Sequence, residues 1–90
     1  MIISLTNIQA ALRNEDVEGL IESGAPADEY NTEAEQIASV LAPLRKDQLT
    51  EANIVAVIAL AWAKAFNRSG KEIEMRLPAF RRIAQRLLQP

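Results

Sequence analysis

Apolar side chains that recur three and four residues apart constrain the fold of this chain more than any other feature of its sequence. The clearest stretch is 51–67, in which the bulky Ile54, Ile58 and Trp62 repeat every four residues. Side chains at this spacing share one face of an α-helix, which is buried against a neighbouring element. The same pattern, divided by Gly and Pro, predicts helices over residues 4–14, 16–22, 31–42, 51–67 and 78–88.

A buried β-strand over residues 54–58 is the competing interpretation, because this stretch is rich in β-branched side chains. The helical pattern, however, continues from Thr50 past Lys64, which is longer than an ordinary strand. The chain also holds only three Gly and four Pro, and many β-hairpins would need more turn residues. We therefore predict an all-α fold, a compact bundle of four to five helices with 51–67 as the central, most buried helix.

The chain is expected to form a single helical domain over residues 1–90, because 90 residues support one modest core. Its 49% apolar and 24% charged residues and mean hydropathy of −0.04 are those of an ordinary globular protein. The longest uncharged apolar run, 52–63, is only about 12 residues long, too short to cross a bilayer. With no signal-peptide pattern at the start, we expect a soluble, cytoplasmic protein without a membrane partner.

Two residue types that carry much of protein chemistry, Cys and His, do not occur in the sequence. Their absence removes the thiolate nucleophile, the imidazole base and the commonest metal ligands. The acids between residues 28 and 35 lack the Asp-x-Asp-x-Asp-Gly pattern of a calcium loop. We therefore expect neither a cofactor, a metal site nor an enzymatic activity.

Capping signals in the first half predict where helices begin and end. Gly24 is expected to stop the helix over 16–22, because glycine tolerates a positive φ. Thr32 and Glu35 have the spacing of a capping box, in which side chain and backbone amides satisfy each other. These two residues predict a helix that begins at Asn31 or Thr32.

In the second half, Thr50 is the candidate N-cap of the 51–67 helix. Residues 67–76 are predicted to form a loop around Ser69 and Gly70, with Pro78 in the first turn of the last helix. The alternative is one kinked helix that begins near Lys71.

A stripe of small side chains follows the other side of the 51–67 helix and would let a neighbouring backbone approach closely. The stripe is Ala52, Ala56, Ala59 and Ala63. It is expected to pack within the chain, and the alternative is that it supports a homodimer.

Charge is distributed unevenly along the chain, although the net charge is only −2. Residues 1–47 hold nine acids and three bases, whereas residues 48–90 hold three acids and seven bases. The two halves are expected to compensate each other partly on folding, and the alternative is one acidic and one basic docking surface. The densest acids lie at 28–35, where Asp28, Glu29 and Glu33 are candidate interaction residues. Tyr30 is either an exposed recognition aromatic or a core residue with a local hydrogen bond.

Arginines form a strip over residues 76–86, in which Arg81, Arg82 and Arg86 are further candidate interaction residues. Arg82 and Arg86 stand at i,i+4 and repel each other unless an anion lies between them. That anion is a phosphate, a carboxylate of a partner, or an acid from the first half of the chain. The acidic overall balance, with pI about 5.1, argues against nucleic acid as the partner.

Three stretches, 15–21 (EDVEGLI), 24–31 (GAPADEYN) and 35–37 (EQI), resemble a bacterial family of small helical proteins, the domain of unknown function eighteen-seventy-one. The resemblance extends over most of the chain, and the Gly-x-Pro-x-Asp-Glu-Tyr segment is its most distinctive part. It implies a compact all-helical domain and assigns no activity.

These observations predict a protein–protein interaction or regulatory module whose acidic face lies at 28–35. The expected partner is another protein, with a homodimer as a possibility. One alternative is an immunity-type or antitoxin-type inhibitor that meets a basic toxin by electrostatic steering. The other is an accessory regulator that binds an anion or nucleic acid through the arginine strip at 76–86.

Overall fold

The computed structural model describes residues 3–26 and 28–89, and in this part of the chain every regular element is a helix. The α-helices are α1 (Leu5–Glu15), α2 (Asn31–Leu41), α3 (Glu51–Phe66) and α4 (Gly70–Leu88), with a short 3-10 helix at Lys46–Gln48 between α2 and α3. The all-α prediction is therefore confirmed for these residues. Residues 1, 2, 27 and 90, which the single-domain prediction includes, lie outside the described ranges.

Helix α1 begins and ends within one residue of its predicted bounds. The Ser4 hydroxyl accepts a hydrogen bond from the Asn7 amide at 3.1 Å, which makes Ser4 the N-cap. The helix ends because Asp16 adopts a left-handed conformation, with φ of 45°.

The predicted short helix over 16–22 is wrong, because these residues form a series of turns. The Asp16 carboxylate accepts hydrogen bonds from the amides of Ile21 at 3.1 Å and Glu22 at 3.0 Å. A side chain thus satisfies amides that a helix would pair with its own carbonyls. Gly19 and Gly24 both adopt positive φ, 69° and 106°, which glycine tolerates, but Gly24 stops no helix because residues 16–22 form none.

Helix α2 begins at Asn31, as predicted, but not by the predicted capping box. Its N-cap is Tyr30, whose side chain caps no amide, and no Thr32–Glu35 capping interaction forms. The apolar stripe holds, since Ala34, Ile37 and Leu41 are buried.

Helix α3 begins as predicted, because the Thr50 hydroxyl accepts from the Asn53 amide at 3.2 Å. Its prediction as the central helix is wrong. Only three of its residues are fully buried, Ile54, Ile58 and Trp62. The outer side is open to solvent and includes Ala52 and Ala56 of the alanine stripe.

The predicted loop over 67–76 is also wrong, and a single last helix begins at Gly70, next to the Lys71 start of the alternative prediction. Helix α4 begins at Gly70 behind a complete capping box, in which the Ser69 hydroxyl accepts from the Glu72 amide at 3.3 Å and the Glu72 carboxylate accepts from the Ser69 amide at 3.1 Å. Pro78 lies inside this helix, not in its first turn. Because proline has no amide hydrogen to donate within a helix, Pro78 had favoured a prediction in which the last helix begins at residue 78.

The four helices pack as a ring, α1 against α2, α2 against α3, α3 against α4, and α4 against α1. Trp62 lies at the centre of this ring. The distance from its ring centroid is 5.7 Å to that of Tyr30, 5.0 Å to that of Phe66 and 5.7 Å to that of Phe80. The Cα radius of gyration of 12.2 Å is that of a well-packed chain of this length. None of the described helices is long and apolar enough to cross a membrane.

Candidate functional site

The turns that follow α1 are held by a polar network built on Asp16 and Tyr30. The Tyr30 hydroxyl donates to the Asp16 carboxylate at 2.6 Å and accepts from the amides of Glu18 at 3.2 Å and Leu20 at 3.4 Å. The hydrogen bond from Tyr30 is the main reason that the pKa of Asp16 lies below its usual range. Burial and the contact with Asp16 raise the pKa of Tyr30 to about 12, so the hydroxyl keeps its proton at neutral pH. Tyr30 is therefore a core residue, as one of the two interpretations of the sequence predicts, but its hydroxyl bonds residues 10 to 14 positions earlier in the chain and not its immediate neighbours.

A second network gathers around Glu18, whose side chain is only 6% exposed. Its carboxylate accepts from the Trp62 indole at 2.7 Å and from Arg76 at 2.7 and 3.1 Å. Arg68 also donates to it and bridges onward to Glu72 at 3.1 Å. Burial acts to raise the pKa of Glu18, but the hydrogen bonds from Arg76, Trp62 and Arg68 outweigh it and hold the pKa at about 2.

The charge state of this Glu18 cluster (Glu18, Trp62, Arg68, Arg76) decides what it can do. A carboxylate with a pKa of about 2 is ionised at neutral pH and does not donate a proton as a general acid. Both oxygens of the Glu18 carboxylate accept hydrogen bonds from donors within the chain: Oε1 from Arg68 and Arg76, and Oε2 from Trp62 and Arg76. We conclude that the cluster ties the turns after α1 to helices α3 and α4.

The buried Nε of Arg68 has no hydrogen-bond partner among the described residues. The rest of the Arg68 guanidinium bonds Glu18 and Glu72, so the group is not a free cation.

Helix α4 also pairs with the end of α1. Arg82 contacts Glu15 through Nη2 at 2.5 Å and Nε at 2.8 Å. The sequence left three kinds of anion open for the arginine strip. The structure pairs two of its arginines with acids from the first half of the chain, Arg76 with Glu18 and Arg82 with Glu15. Arg81 and Arg86 are exposed and make no ion pair with any described residue.

The acids predicted to form one face at 28–35 divide into exposed and buried groups. Asp28, Glu29 and Glu35 are exposed, whereas Glu33 is only 7% exposed. No side chain among the described residues donates a hydrogen bond to Glu33 or forms an ion pair with it. Burial raises the pKa of the Glu33 carboxyl, a hydrogen bond from its own backbone amide acts in the opposite direction, and the neighbouring Glu29 adds a smaller increase. Within residues 3–26 and 28–89, no group of acids has the geometry of a metal site.

A groove of about 580 Å³ runs between α2 and α3 on the outside of the bundle. We call it the α2–α3 groove, and its lining residues are Thr32, Glu35, Gln36, Ser39 and Val40 from α2 and Val57, Leu60, Ala61 and Lys64 from α3. Its apolar part includes two large exposed side chains, Val40 at 52% and Leu60 at 74%. Sequence reasoning identified neither this groove nor the Glu18 cluster.

The fold and these networks define a small all-α bundle whose ion pairs are structural. Comparisons with family models, with curated proteins and with solved structures give no match. The resemblance to the domain of unknown function eighteen-seventy-one therefore stays a prediction from the sequence.

Proposed function

We propose that the protein is a protein–protein interaction module that receives a basic segment of another protein at Asp28, Glu29 and Glu33, which we call the acidic face. The observation that carries the proposal is Glu33, a residue only 7% exposed whose carboxylate forms no ion pair with any described residue. Burying an unpaired charge costs free energy. A Lys or Arg side chain of a partner would supply the missing charge and make the burial of Glu33 favourable.

The arginines of the chain do not take this role, because every ion pair that they form with a described residue is with an acid outside the acidic face. Arg68 and Arg76 bind Glu18, and Arg82 binds Glu15. The acidic face therefore keeps its negative charge after folding. Such a patch accelerates encounter with a positively charged partner and disfavours acidic ones.

Charge reversal at the exposed part of the face tests the proposal. The immobilised protein is exposed to native lysate, and the captured proteins are compared with those held by the Asp28→Lys, Glu29→Lys variant. We expect a captured protein that salt releases and that this variant loses. The matched control, Glu51→Lys with Glu74→Lys, changes the net charge equally at exposed positions of α3 and α4 and should retain the partner. Equal capture by both variants would contradict the proposal.

Glu33→Gln separates binding from folding. The folded protein raises the pKa of Glu33, so an ionised Glu33 opposes folding above its ordinary pKa of 4.5. We expect Glu33→Gln to unfold at an equal or higher temperature than the wild type at pH 7, yet to hold the partner less tightly. Thermal unfolding followed by circular dichroism, alongside the same capture assay, measures both. A variant that binds as tightly as the wild type would argue against a role for Glu33.

An immunity-type or antitoxin-type inhibitor is a special case of this proposal, in which the basic partner is a toxin. The accessory regulator that binds an anion or nucleic acid is the alternative, and Arg81 and Arg86 are the exposed arginines left for it. If this alternative holds, the protein binds an oligonucleotide in a salt-dependent manner, and the double variant Arg81→Ala, Arg86→Ala loses this binding. The assignments as non-enzymatic, cytoplasmic and bacterial stay predictions of the sequence.

A further inference from the structure

The α2–α3 groove exposes apolar side chains that the bundle itself does not cover. Leu60 is 74% exposed and Val40 52%, and both line the groove together with the half-buried Val57 and Ala61. A single exposed leucine is ordinary, but two large exposed apolar side chains in one groove are typical of a contact surface.

Two charged side chains line the groove, one acid and one base. A connection of nine residues joins α2 to α3, so the first half of α2 lies beside the last part of α3. Glu35, in the first half of α2, and Lys64, near the end of α3, therefore lie close together along the groove. Both are exposed, and neither forms an ion pair within the described ranges.

We infer that the α2–α3 groove is the interface of a two-fold homodimer, an interaction that goes beyond the proposed acidic face. A two-fold axis along the groove places α2 of each copy over α3 of the other with their ends matched. Leu60 then packs against the partner's Val40, and Glu35 faces the partner's Lys64. Each contact occurs twice with the roles exchanged, as in every isologous interface.

Charge complementarity favours a second copy as the occupant over an unrelated partner. A basic ligand would be repelled by Lys64 and an acidic one by Glu35, whereas a second copy presents the opposite charge at both positions. The exposed Ala56 and the half-buried Ala61 on α3 have small side chains, so a facing helix can approach α3 closely around Leu60.

Solution mass of the full chain tests the apolar part of the interface. Light scattering coupled to size exclusion should give the wild type a mass near twice the 9.9 kDa of one chain, with the dimer fraction rising with concentration. Leu60→Glu should be monomeric at every concentration tested. The matched control is Met75→Glu, because Met75 on α4 is 73% exposed and should tolerate the same change without loss of the dimer.

Charge exchange tests the pairing itself. Glu35→Lys alone and Lys64→Glu alone each place like charges together twice, and each should weaken the dimer on the order of tenfold or more. An equimolar mixture of the two variants should form a mixed dimer, because every facing pair is then of opposite charge. The double variant, Glu35→Lys with Lys64→Glu, should dimerise like the wild type.

Three results would overturn the inference: a wild type that stays monomeric, equal masses for Leu60→Glu and Met75→Glu, or a mixture of the charge variants that forms no mixed dimer. Circular dichroism on each variant establishes that it is folded. None of these variants changes Asp28, Glu29 or Glu33. A negative result for the dimer would therefore not count against the proposed binding at the acidic face.

Discussion

Glu18 holds together parts of the chain that are far apart in sequence. Its carboxylate receives donors from Trp62, Arg68 and Arg76, which follow it by 44, 50 and 58 residues. The turns after α1 have no helix of their own, so these contacts, with those of Asp16 and Tyr30, determine where the turns lie against α3 and α4.

Removing the charge of Glu18 should destabilise the fold. Glu18→Gln leaves Arg68 and Arg76 facing a neutral amide, and hydrogen bonds to charged groups are worth about 1.5–3 kcal/mol each. We expect the free energy of unfolding to fall by about 2–3 kcal/mol, measured by chemical denaturation. Glu51→Gln is the control, because the Glu51 side chain is exposed and makes no hydrogen bond with any described residue. Equal stability of the two variants would mean that the Glu18 cluster contributes little.

Acid should weaken the fold in a defined pH range. The pKa of Glu18 is about 2 in the folded protein, below the ordinary value of 4.5. A lowered pKa means that the ionised carboxylate stabilises the folded state, fully above about pH 4.5 and progressively less as the pH falls towards 2. Denaturation midpoints of the wild type should therefore fall over this range, and those of Glu18→Gln should fall less. Parallel curves for the two proteins would contradict the assignment.

The sequence predicted that acids of the first half would pair with bases of the second half, but not which residues form each ion pair. The excess of acids before residue 48 and of bases after it predicted partial compensation between the halves. Which acid meets which arginine depends on how the helices pack, and no local pattern specifies contacts across 50 residues. Glu33 shows the same limit, since its burial follows from the packing of α2 and not from its own polarity.

Helix ends were predicted well where one side chain caps one amide. Thr50 caps α3 as expected, because the residue types and the spacing within one turn contain the whole interaction. The errors at 16–22 and 67–76 have different causes. At 16–22 tertiary contacts hold turns where the apolar spacing favoured a helix, whereas at 67–76 the local capping box of Ser69 and Glu72 begins the helix ahead of Pro78. Apolar spacing at Val17, Leu20 and Ile21 predicted a helix, but these side chains pack on the core from turns.

The start of α4 should depend on Ser69. Ser69→Ala removes the hydroxyl that accepts from the Glu72 amide, and loss of an N-cap costs about 1 kcal/mol. We expect a decrease of that size in the free energy of unfolding. Gln85→Ala is the control, because Gln85 lies exposed within α4 without a side-chain hydrogen bond to a described residue. An equal or larger loss for Gln85→Ala would contradict the capping role.

At the scale of the whole molecule, the ring of four helices closes one core around Trp62. Helices α2 and α3 bury apolar side chains on their inner sides, and their outer sides, which include the exposed Val40 and Leu60, form the α2–α3 groove. The core is therefore small, and individual side chains in it carry a large share of the stability.

Truncation of a core side chain should show that share directly. Ile58 is fully buried in α3, and Ile58→Ala should lower the free energy of unfolding by about 2–5 kcal/mol through lost burial and the cavity left behind. Met75→Ala, at an exposed position of α4, should change it by less than about 0.5 kcal/mol. Thermal or chemical unfolding of both variants measures the difference, and a similar effect at the two positions would contradict the assigned core.

Helix type, most helix bounds and most of the core residues were determined by the sequence alone, because spacing every three to four residues and caps within one turn are local physics. The tertiary structure decided the rest: the turns at 16–24, the partners of Arg68, Arg76 and Arg82, the burial of Glu33 and the exposed side of α3. These features depend on which helices become neighbours, and that choice is made by the packing of the whole core, in which residues far apart in the chain compete for the same space.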